Sequence, residues 1–377
     1  MDFTLSDEQR LLQDTVARFV ADQYGFEDRM AATRAPEGFK RTTWAKFADM
    51  GLLGLPFAEE YGGIGGKAEE VMLVMEQLGR GLVVDPWLWT VVLCGGLVSA
   101  AGTPRQKDEI LPAVTEGRML LALAHAEPQS RYTLSDVQAT AEQRGSDFVL
   151  HGRKTLVMFG DSADHLIVSA RLEGGRRDER GIGLFLVPRT AKGVEVRGYP
   201  TVDGLRAAEV ALSGVKVPVD AVLGPLGLAF PHLQAAVDRA IAALCAEAVG
   251  VMGKVNEITL DYLKTRKQFG VPIGNFQVLQ HRMVDMTTAY EQARSMMYLA
   301  AMHADDTDPM RRRRQVSAAK ALIGRSGKLV GQGAVQLHGG IGMTMEYSVG
   351  HYFKRLTAID LTFGDADHHL GLFADAA

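Results

Sequence analysis

The chain has 377 residues, of which 47% are hydrophobic, and a formal net charge of -4. This composition is typical of a globular protein with two or three domains, and it excludes a disordered chain. No apolar run approaches the ~18 residues of a membrane span, and the acidic, amphipathic start is unlike a secretion signal. The negative charge excludes the electrostatic pattern of a nucleic-acid-binding protein. The distant cysteines, Cys94 and Cys245, exclude a disulfide framework and suit the cytoplasm, where we expect the protein to reside.

The first third of the chain carries the apolar period of helices. In "LSDEQRLLQDTVARFVADQ", Leu11, Val16 and Val20 fall on one side, and Ser6 stands at a plausible helix start. "TTWAKFADMGLLGLPFAEEYGGIGG" indicates a helix that ends in glycine-rich turns, and "AEEVMLVMEQLGRGL" and "TPRQKDEILPAVTEG" continue the pattern. We therefore predict an N-terminal helical domain over residues 1–120.

The middle third changes to short, often alternating apolar runs separated by Gly, Asp and Pro. These runs are "FVLHGRKTLVMFG", "DHLIVSARL", "GIGLFLVPR" and "AAEVALSGVKVP". They predict a β domain of several antiparallel strands over residues 121–225. No G-x-G-x-x-G follows a strand and opens a helix, so the sequence does not support a Rossmann dinucleotide-binding unit.

The last third, residues 226–377, returns to helices and has the strongest periodicity. Residues spaced three or four apart form one apolar stripe that predicts a long helix ending at "QFGVPIG": Leu233, Val237, Ile241, Leu244, Ala248, Val251, Val255, Ile258 and Tyr262. Two more long helices, roughly 276–305 and 310–336, predict a bundle. We interpret the four arginines from Arg311 to Arg314 as a solvated helix face rather than an anion site.

Two segments near the C-terminus have the composition of a nucleotide site. Arg266 offers a planar fork of donors beside an aromatic residue, Phe269, which suits a phosphate and a ring. In the segment from Gln336 to Gly342, glycines allow backbone N–H groups to approach phosphate oxygens. The alternative for each segment is a plain helix end and chain turn, and neither segment alone decides between them.

Together these segments resemble a known family. R-x-x-F-G-x-P-I-x-x-F-Q-x-x-Q from Arg266 and Q-x-x-G-G-x-G-x-x-x-E-Y from Gln336 resemble the acyl-CoA dehydrogenases. The segments "SDEQRLLQDTVARF", "GLLGLPFAEEYGGIGG", "QKDEILPAVTEGR", "AEP…SD" and "VKVPVDAVLG" fall at the family's places in the same order. The resemblance covers essentially the whole chain.

The resemblance implies an α+β fold and a flavin-dependent reaction. The family has an N-terminal α-helical domain, a central antiparallel β-barrel and a C-terminal four-helix bundle that holds FAD. Its members carry out α,β-dehydrogenation of an acyl-CoA thioester to the trans-2-enoyl-CoA and pass the electrons to an electron-transfer flavoprotein. They assemble as homodimers or dimers of dimers, and some assemble with a large-subunit paralogue.

The resemblance also assigns cofactor positions. Arg266 and Phe269 match residues that reach the FAD of a neighbouring subunit at its phosphates and adenine. A second set matches the segment that holds the adenosine diphosphate half: Gln336, Gly339, Gly340 and Gly342. The remaining matches are Glu127 and Ser135, on the loop beside the flavin and the thioester, together with Met158, Gln277 and Asp367.

The chain departs from the family pattern near the expected flavin. The loop from Glu127 to Asp136 is longer than the compact Glu-Pro-x-x-Gly-Ser-Asp, and Arg131 lies in the insertion. Leu156 and Met158 stand where the family usually has the Trp and Thr of Trp-x-Thr, so the Trp that shields the flavin is absent. These traits resemble the small subunit of pimeloyl-CoA dehydrogenase and subunits of heteromeric steroid side-chain enzymes. They suggest a bulkier or more polar acyl group, with Arg131 in contact with it.

The position of the catalytic base is the main open question. The family most often uses a glutamate in Tyr-Glu-Gly-Thr before the last helix, but no glutamate follows Glu346 here. We place Phe363, Leu370 and Phe373 on the inner side of the last helix. Gly364 then stands at the family's Tyr, Asp365 at its Glu and Asp367 at its Thr. Asp365 is therefore the first-choice base, and Gly364 is a candidate substrate contact. A one-residue slip would put Gly364 at the base position and His369 on a buried apolar site, which is physically worse.

Two alternatives stay open beside Asp365. The family's other base precedes an arginine on the long helix, which matches Asp238 before Arg239, both candidate substrate contacts. Asp238 flanks the apolar stripe, where a charged residue is usually solvated. The second alternative is a subunit with no base at all, which completes the FAD site of a heteromeric enzyme. A metal site at "DADHH" is not expected, because adjacent histidines lack i, i+4 spacing; the aspartates suit a helix N-terminus instead.

Overall fold

The computed structural model describes residues 4–375. Within that range, α-helices form most of the first and last thirds of the chain: α1 (Asp7–Gln23), α2 (Phe26–Thr33), α3 (Arg41–Asp49), α4 (Ala68–Arg80), α5 (Gly96–Ala101), α6 (Pro104–Thr115), α7 (Phe230–Thr265), α8 (Gln277–Ala304), α9 (Pro309–His338), α10 (Val349–Leu361) and α11 (Ala366–Asp375). A fully buried π-helical segment, Trp87–Gly95, precedes α5. No helix among residues 4–375 has both the length and the apolar character needed to cross a membrane.

The strands lie mostly between α6 and α7. They are β1 (Leu121–Ala124), β2 (Thr140–Arg144), β3 (Asp147–Met158), β4 (His165–Arg171), β5 (Ile182–Pro188), β6 (Val194–Pro200), β7 (Arg206–Pro218), β8 (Val222–Leu223), β9 (Lys267–Gln268) and β10 (Val271–Pro272). The predicted runs became β3, β4, β5 and β7. Four strands of the same sheet, β1, β2, β6 and β8, were not predicted, because they are short or polar on one face.

The expected fold class is confirmed, but the closed barrel is wrong. The sheet has the open order β6-β7-β3-β2-β4-β5-β8, with β1 on β4, and no pairing joins β6 to β8 among the described residues. A single parallel pair, Thr140 with Arg171, connects β2 to β4, whereas a closed barrel needs continuous ladders. The β1–β4 pairing is also parallel, so the sheet is mixed rather than purely antiparallel.

The contacts between residues divide the chain into two compact units. The sheet unit comprises residues 32–66 and 84–240, and the helical unit comprises residues 4–31, 67–83 and 241–375 of the described chain. The core of the sheet unit lies between its antiparallel strands, where Phe148 of β3 packs on Phe185 of β5 with ring centroids 5.2 Å apart. Burial of these two aromatic side chains and the aliphatic residues around them stabilises this unit.

The part of α7 from residue 241 onward belongs to the helical unit. The predicted apolar stripe is buried through most of its length. From residue 241 to residue 253 every residue is buried, so the burial extends to all faces of the helix there. Two glycines explain how closely α4 approaches it: a Cβ added at Gly79 would lie 2.2 Å from the Glu247 carbonyl oxygen, and one at Gly250 would lie 1.9 Å from that of Glu76. A buried ion pair joins Glu247 of α7 to Arg355 of α10, with Nη2 2.7 Å from the carboxylate. Helix α7 therefore has no solvated face in this region.

Two helix starts test the sequence interpretation. Ser6 caps α1 as expected: its Oγ accepts the Gln9 N–H at 3.1 Å, and the Gln9 side chain accepts the Ser6 N–H at 3.1 Å. The solvated-face interpretation of the four arginines on α9 is wrong at Arg312, whereas Arg311 is exposed and Arg313 and Arg314 are half-buried. Arg312 is buried, because its guanidinium donates to the Asp306 carbonyl and so ties the helix start to the preceding loop.

Candidate functional site

In the helical unit, the two sequence motifs with nucleotide-like composition lie at adjacent helix ends. Tyr262, one turn before Arg266 at the end of α7, stacks on His338 at the end of α9, with ring centroids 4.3 Å apart. The Tyr262 hydroxyl also donates to the His338 carbonyl at 3.4 Å. The structure therefore brings together Arg266 and the segment from Gln336 that the resemblance assigns to the cofactor.

The β9–β10 hairpin presents a cation and an aromatic ring to the surface. Phe269 has φ +54° and a 92% exposed side chain. Arg266 is exposed, and its guanidinium has no acceptor among the described residues. Gln277, the first residue of α8, is exposed as well. A ring this exposed on a left-handed residue is uncommon, and it is expected where another molecule covers it.

The glycine segment after α9 leaves space for a ligand. Gly339 has φ +62°, and a Cβ added at Gly339 or Gly340 would meet nothing within 4 Å. His338 is buried; its Nδ1 donates to the Ala334 carbonyl at 2.8 Å, so the other ring nitrogen, Nε2, is an acceptor, and it has no partner among the described residues. Gly342 is buried and Gln336 is exposed. Open glycines, an unpaired acceptor and a free guanidinium fit an adenine dinucleotide.

The turn between α10 and α11 is fixed from within the helical unit. Phe363 has φ +58° and Gly364 has φ +121°, so both residues are left-handed. Lys320 of α9, which is fully buried, donates from Nζ to the Gly364 carbonyl at 2.7 Å and to the Asp360 carbonyl at 2.8 Å. His369 binds the Phe363 carbonyl through Nε2 at 3.1 Å. The strained turn is therefore held by two buried side chains.

The orientation of α11 differs from the one used to align the ending. His369 is 1% exposed, whereas Leu370 is 43% exposed. An imidazole tolerates this burial because both of its nitrogens are satisfied: Nε2 donates to Phe363 O and Nδ1 accepts from the Ser317 hydroxyl at 3.1 Å. Burial lowers the His369 pKa to about 3. The premise that His369 is a poor inner residue was therefore wrong, and the slipped alignment that puts Gly364 at the base position is physically acceptable.

The aspartates of the ending lie at a helix N-terminus, as expected. Asp365 precedes α11 and is half-buried; its Oδ1 accepts the His368 N–H at 2.9 Å. Its other carboxylate oxygen has no donor among the described residues. Asp367 lies in the first turn, where it is exposed and pairs with Arg325 at 3.3 Å.

The rings of His368 and His369 are inclined at 80° to each other, and no group of residues able to hold a metal occurs among residues 4–375.

In the sheet unit, Glu127 is a fully engaged buried carboxylate. Its Oε1 accepts from Lys154 Nζ at 2.7 Å and from the Ala139 N–H at 3.0 Å. Its Oε2 accepts from Gln129 Nε2 and from the Gln138 N–H, both at 2.8 Å. Burial alone would raise the Glu127 pKa, but the Lys154 ammonium and these hydrogen bonds keep it below its usual value. Glu127 therefore fixes the loop predicted to lie beside the flavin.

Lys154 was not identified from the sequence. It is fully buried on β3, and burial lowers its pKa to about 8 although Glu127 opposes the change. Its Nζ also donates to Ser169 Oγ at 3.0 Å and to the His125 carbonyl at 3.2 Å. The only signal in the sequence was a lone lysine within an apolar strand, and its partner Glu127 lies on a loop outside the strands.

A second set of contacts holds this loop to the β4–β5 loop. Arg171 donates to backbone carbonyls on both loops, at 2.9–3.2 Å: those of Ser135, Val137, Arg176, Asp178 and Arg180. Asp136, which is buried, accepts from Arg176 and Arg177 at 3.0 Å. Arg131 is exposed with φ +46°. The backbone at Ser135 is thus rigidly held, and Arg131 stands at the surface of the enlarged loop.

The segment that replaces Trp-x-Thr is irregular. The register between β3 and β7 shifts between Lys154 and Val157, and Leu156 has φ +51° with a 54% exposed side chain. Met158 is half-buried at the end of β3. A left-handed leucine in a bulge is strained, which is typical of sites that contact a ligand.

Asp238 is not a solvated flank residue. It is 2% exposed, and its Oδ1 accepts from Gln234 Nε2 at 2.8 Å one turn earlier on α7. Val237 and Ala240 beside it are buried too, so Asp238 belongs to the buried side of this turn of α7. Arg239 is half-buried. The expectation of a solvated carboxylate was wrong because the stripe marked only part of the buried surface.

Models of the three domains of one family match the chain in order. The N-terminal domain of the acyl-CoA dehydrogenases matches residues 6–118, the middle domain matches residues 122–215 and the C-terminal domain matches residues 230–377. Together these matches take in most of the sequence.

Known proteins support the same assignment. The short-chain-specific acyl-CoA dehydrogenase of Clostridium acetobutylicum is 30% identical over 378 residues, which cover 97% of each chain. A variant of the steroid ACAD Tcur3481-Tcur3483 is 30% identical with a TM-score of 0.89, over 99% of this chain and 98% of that chain. The FAD complex of PigA is 25% identical with a TM-score of 0.90, over 100% and 98% of the two chains. The chain is therefore a member of the acyl-CoA dehydrogenase family of FAD-dependent oxidoreductases.

Proposed function

We propose that this protein dehydrogenates an acyl-CoA thioester to the trans-2-enoyl-CoA and passes the electrons to an electron-transfer flavoprotein. The observation that carries this proposal is the strained turn at Phe363 and Gly364, where N–H groups with no acceptor within residues 4–375 lie beside a carboxylate. Removal of an α proton from a thioester needs a base over the α carbon and donors for the thioester oxygen. The turn offers both within three residues.

The base is Asp365, with Asp238 as the alternative. Asp365 uses one oxygen as the cap of α11, and its other oxygen accepts nothing from the described chain, so a proton can be taken there. Its backbone N–H is available to the thioester oxygen. Asp238 is buried on α7, and Arg239 follows it, as in the family's other base position.

The cofactor is FAD, which would accept the hydride from the β carbon of the substrate. We propose that its diphosphate lies against the segment from Gln336 to Gly342, and that Arg266 and Phe269 of a neighbouring subunit bind its phosphates and adenine. The free guanidinium, the exposed ring and the open glycines support FAD binding at these segments; because the two segments lie together in one chain, both can also bind the same FAD of a neighbouring subunit. The Glu127 loop, held by Lys154, would line the flavin side of the sheet unit.

The substrate and the assembly are proposed on the departures from the family. The exposed Arg131 and the missing Trp favour an acyl group that is bulky or polar at its far end, such as a dicarboxylyl or ring-bearing thioester. We propose a homodimer or a dimer of dimers, alone or with a large-subunit paralogue. The similarity to a steroid ACAD with a double designation, Tcur3481-Tcur3483, supports a paired assembly.

A second candidate function has its own support. The burial of His369 makes the slipped alignment acceptable, and that alignment leaves Gly364 at the base position. The chain would then be a half-site subunit that completes the FAD site of a base-bearing partner with Arg266 and the glycine segment.

One experiment separates the two functions. The purified chain is assayed for FAD per chain by flavin absorbance, and then for anaerobic bleaching of the flavin by a panel of acyl-CoA thioesters, with and without the large-subunit paralogue. A catalytic chain binds FAD and is bleached alone. Bleaching only in the presence of the paralogue would establish the half-site subunit instead.

A further inference from the structure

The turn before α11 contains two consecutive peptide groups with the same arrangement. In the first, the Phe363 carbonyl accepts from His369 Nε2 at 3.1 Å, and the N–H belongs to Gly364. In the second, the Gly364 carbonyl accepts from Lys320 Nζ at 2.7 Å, and the N–H belongs to Asp365. Both carbonyls are therefore bound by side chains from the interior of the helical unit.

The N–H groups of the same two peptide groups have no acceptor among the described residues. The next N–H along the chain, that of Ala366, is satisfied by the Asp360 carboxylate at 3.2 Å. Gly364 is buried, and a buried N–H without an acceptor costs about 1–3 kcal/mol. Such a pair of donors is expected where a ligand supplies the missing acceptor.

The geometry of a trans peptide links the two observations. Its C=O and N–H are antiparallel, so a carbonyl drawn inward directs the N–H of the same group outward. No peptide bond among the described residues is cis. A donor that binds the carbonyl also polarises the group, which strengthens its N–H as a donor. Lys320 and His369 therefore set both the direction and the strength of the Asp365 and Gly364 N–H groups.

Each side chain is itself locked in one state. The Phe363 carbonyl can only accept, so His369 carries its proton on Nε2, and the Ser317 hydroxyl donates to Nδ1 at 3.1 Å. Lys320 is fully buried with two carbonyl acceptors, at Asp360 and Gly364. A Cβ added at Gly364 would lie 2.4 Å from the His368 ring, so glycine is required for the turn to close over these groups.

We infer that Lys320 and His369 are positioning residues that orient and polarise a two-N–H site for the thioester oxygen of the substrate. The inference rests on the proposed function, because it takes this turn as the place where the thioester is held. The inference adds two residues to the proposed site. Neither would touch the substrate, but both determine how strongly the site stabilises the enolate.

The test measures enolate stabilisation directly instead of turnover. The holoenzyme is titrated with acetoacetyl-CoA, a thioester that ionises to its enolate, and the near-ultraviolet absorbance of the bound enolate is followed against pH. Wild-type protein should make the bound ligand a stronger acid than free acetoacetyl-CoA. Lys320→Met should weaken that effect at least tenfold, about one pH unit, since loss of a whole oxyanion donor costs roughly 10²–10³-fold.

His369 is tested with a matched pair of variants. His369→Leu removes the donor to the Phe363 carbonyl and should weaken enolate binding, whereas His369→Gln keeps an amide donor and should restore much of it. Lys328→Met is the control, because Lys328 is an exposed lysine on the same helix that binds no carbonyl of the turn. If Lys320→Met loses FAD, the His369 pair alone decides the inference.

The outcomes are distinguishable. Enolate binding by Lys320→Met and His369→Leu equal to that of the wild type overturns the inference and leaves the proposed function intact. Absence of any effect of the wild-type holoenzyme on acetoacetyl-CoA ionisation overturns the proposed site at this turn, and the inference with it.

Discussion

Lys154 Nζ lies 2.7 Å from a carboxylate oxygen of Glu127, and both side chains are almost completely buried. The pair connects the centre of β3 to the start of the loop that continues to Ser135. A buried charge is tolerated only when it is paired and hydrogen-bonded, and here each partner has further donors or acceptors. The loop position therefore depends on one lysine that does not reach the surface.

We predict that Lys154→Met destabilises the protein by about 3–5 kcal/mol, because it leaves the Glu127 charge buried without its partner. Chemical denaturation gives the free energy of unfolding. Arg153→Met is the control: Arg153 is exposed, and its 3.8 Å ion pair with the half-buried Glu209 should contribute about 0–1 kcal/mol. The double variant Lys154→Met with Glu127→Gln should recover part of the loss. A Lys154→Met variant as stable as the control would show that the pair does not fix the loop.

Arg266→Ala should weaken FAD retention about tenfold or more. Each charge-assisted hydrogen bond to a phosphate contributes on the order of 1.5–3 kcal/mol, and about 1.4 kcal/mol is a factor of ten. Retention is measured as the flavin absorbance per chain after gel filtration. Lys267→Ala, an exposed neighbour on the same hairpin, should retain FAD like the wild type. Unchanged retention by Arg266→Ala would argue against the proposed diphosphate position.

The sequence predicted the long elements of the fold and not the short ones. Helices α7, α8 and α9 each carry several turns of apolar periodicity, so the sequence pattern predicts the helices that pack in the structure. The residues of β6 alternate between exposed and half-buried positions, and β8 has only two residues. Neither strand therefore has an apolar pattern from which it could be predicted. Whether the sheet closes depends on how β2 pairs with β4. That pairing consists of one residue pair, Thr140 with Arg171, and no local sequence pattern predicts it.

Local sequence motifs mark the glycines and the arginine as candidate site residues, but they do not mark the residues that support them. Glycine segments and Arg266 carry local motifs. The burial of Asp238 and His369 comes from neighbours that are distant in sequence, so an apolar stripe could not reveal it. Lys320 and Lys154 were missed for the same reason: a buried lysine looks like a surface lysine until its acceptors are placed.

Stability should fall as the pH decreases from about 6.5 to about 3, in part because of His369. Burial keeps the His369 pKa near 3 in the folded chain, whereas an unfolded histidine binds a proton below about 6.5. The unfolded state thus binds more protons in this range, which costs up to about 1.4 kcal/mol per pH unit. His369→Gln should flatten the pH dependence of the free energy of unfolding between pH 7 and 5. An equal slope in both proteins would contradict the burial of a neutral imidazole.

The specificity for the acyl group should be determined by the enlarged loop from Glu127 to Asp136. Among thioesters, pimeloyl-CoA or a ring-bearing CoA should bleach the flavin faster than butyryl- or octanoyl-CoA. Arg131→Ala should reduce the rate for the dicarboxylyl substrate while leaving that for octanoyl-CoA unchanged, because a guanidinium favours only a charged far end. Fastest bleaching by butyryl- or octanoyl-CoA, with none by the larger thioesters, would count against this prediction.

Asp365→Asn should lower the rate of flavin reduction about 10²–10⁴-fold, the usual contribution of a general base, while FAD stays bound. The amide keeps an oxygen that can accept the His368 N–H, so the cap of α11 and the fold should be preserved. Stopped-flow bleaching with an excess of thioester measures the rate. Asp238→Asn is the matched comparison, as its amide oxygen can still accept from Gln234. A loss in Asp238→Asn alone would place the base on α7. If both variants keep the wild-type rate, the proton is taken by a partner chain, and the half-site function would be correct.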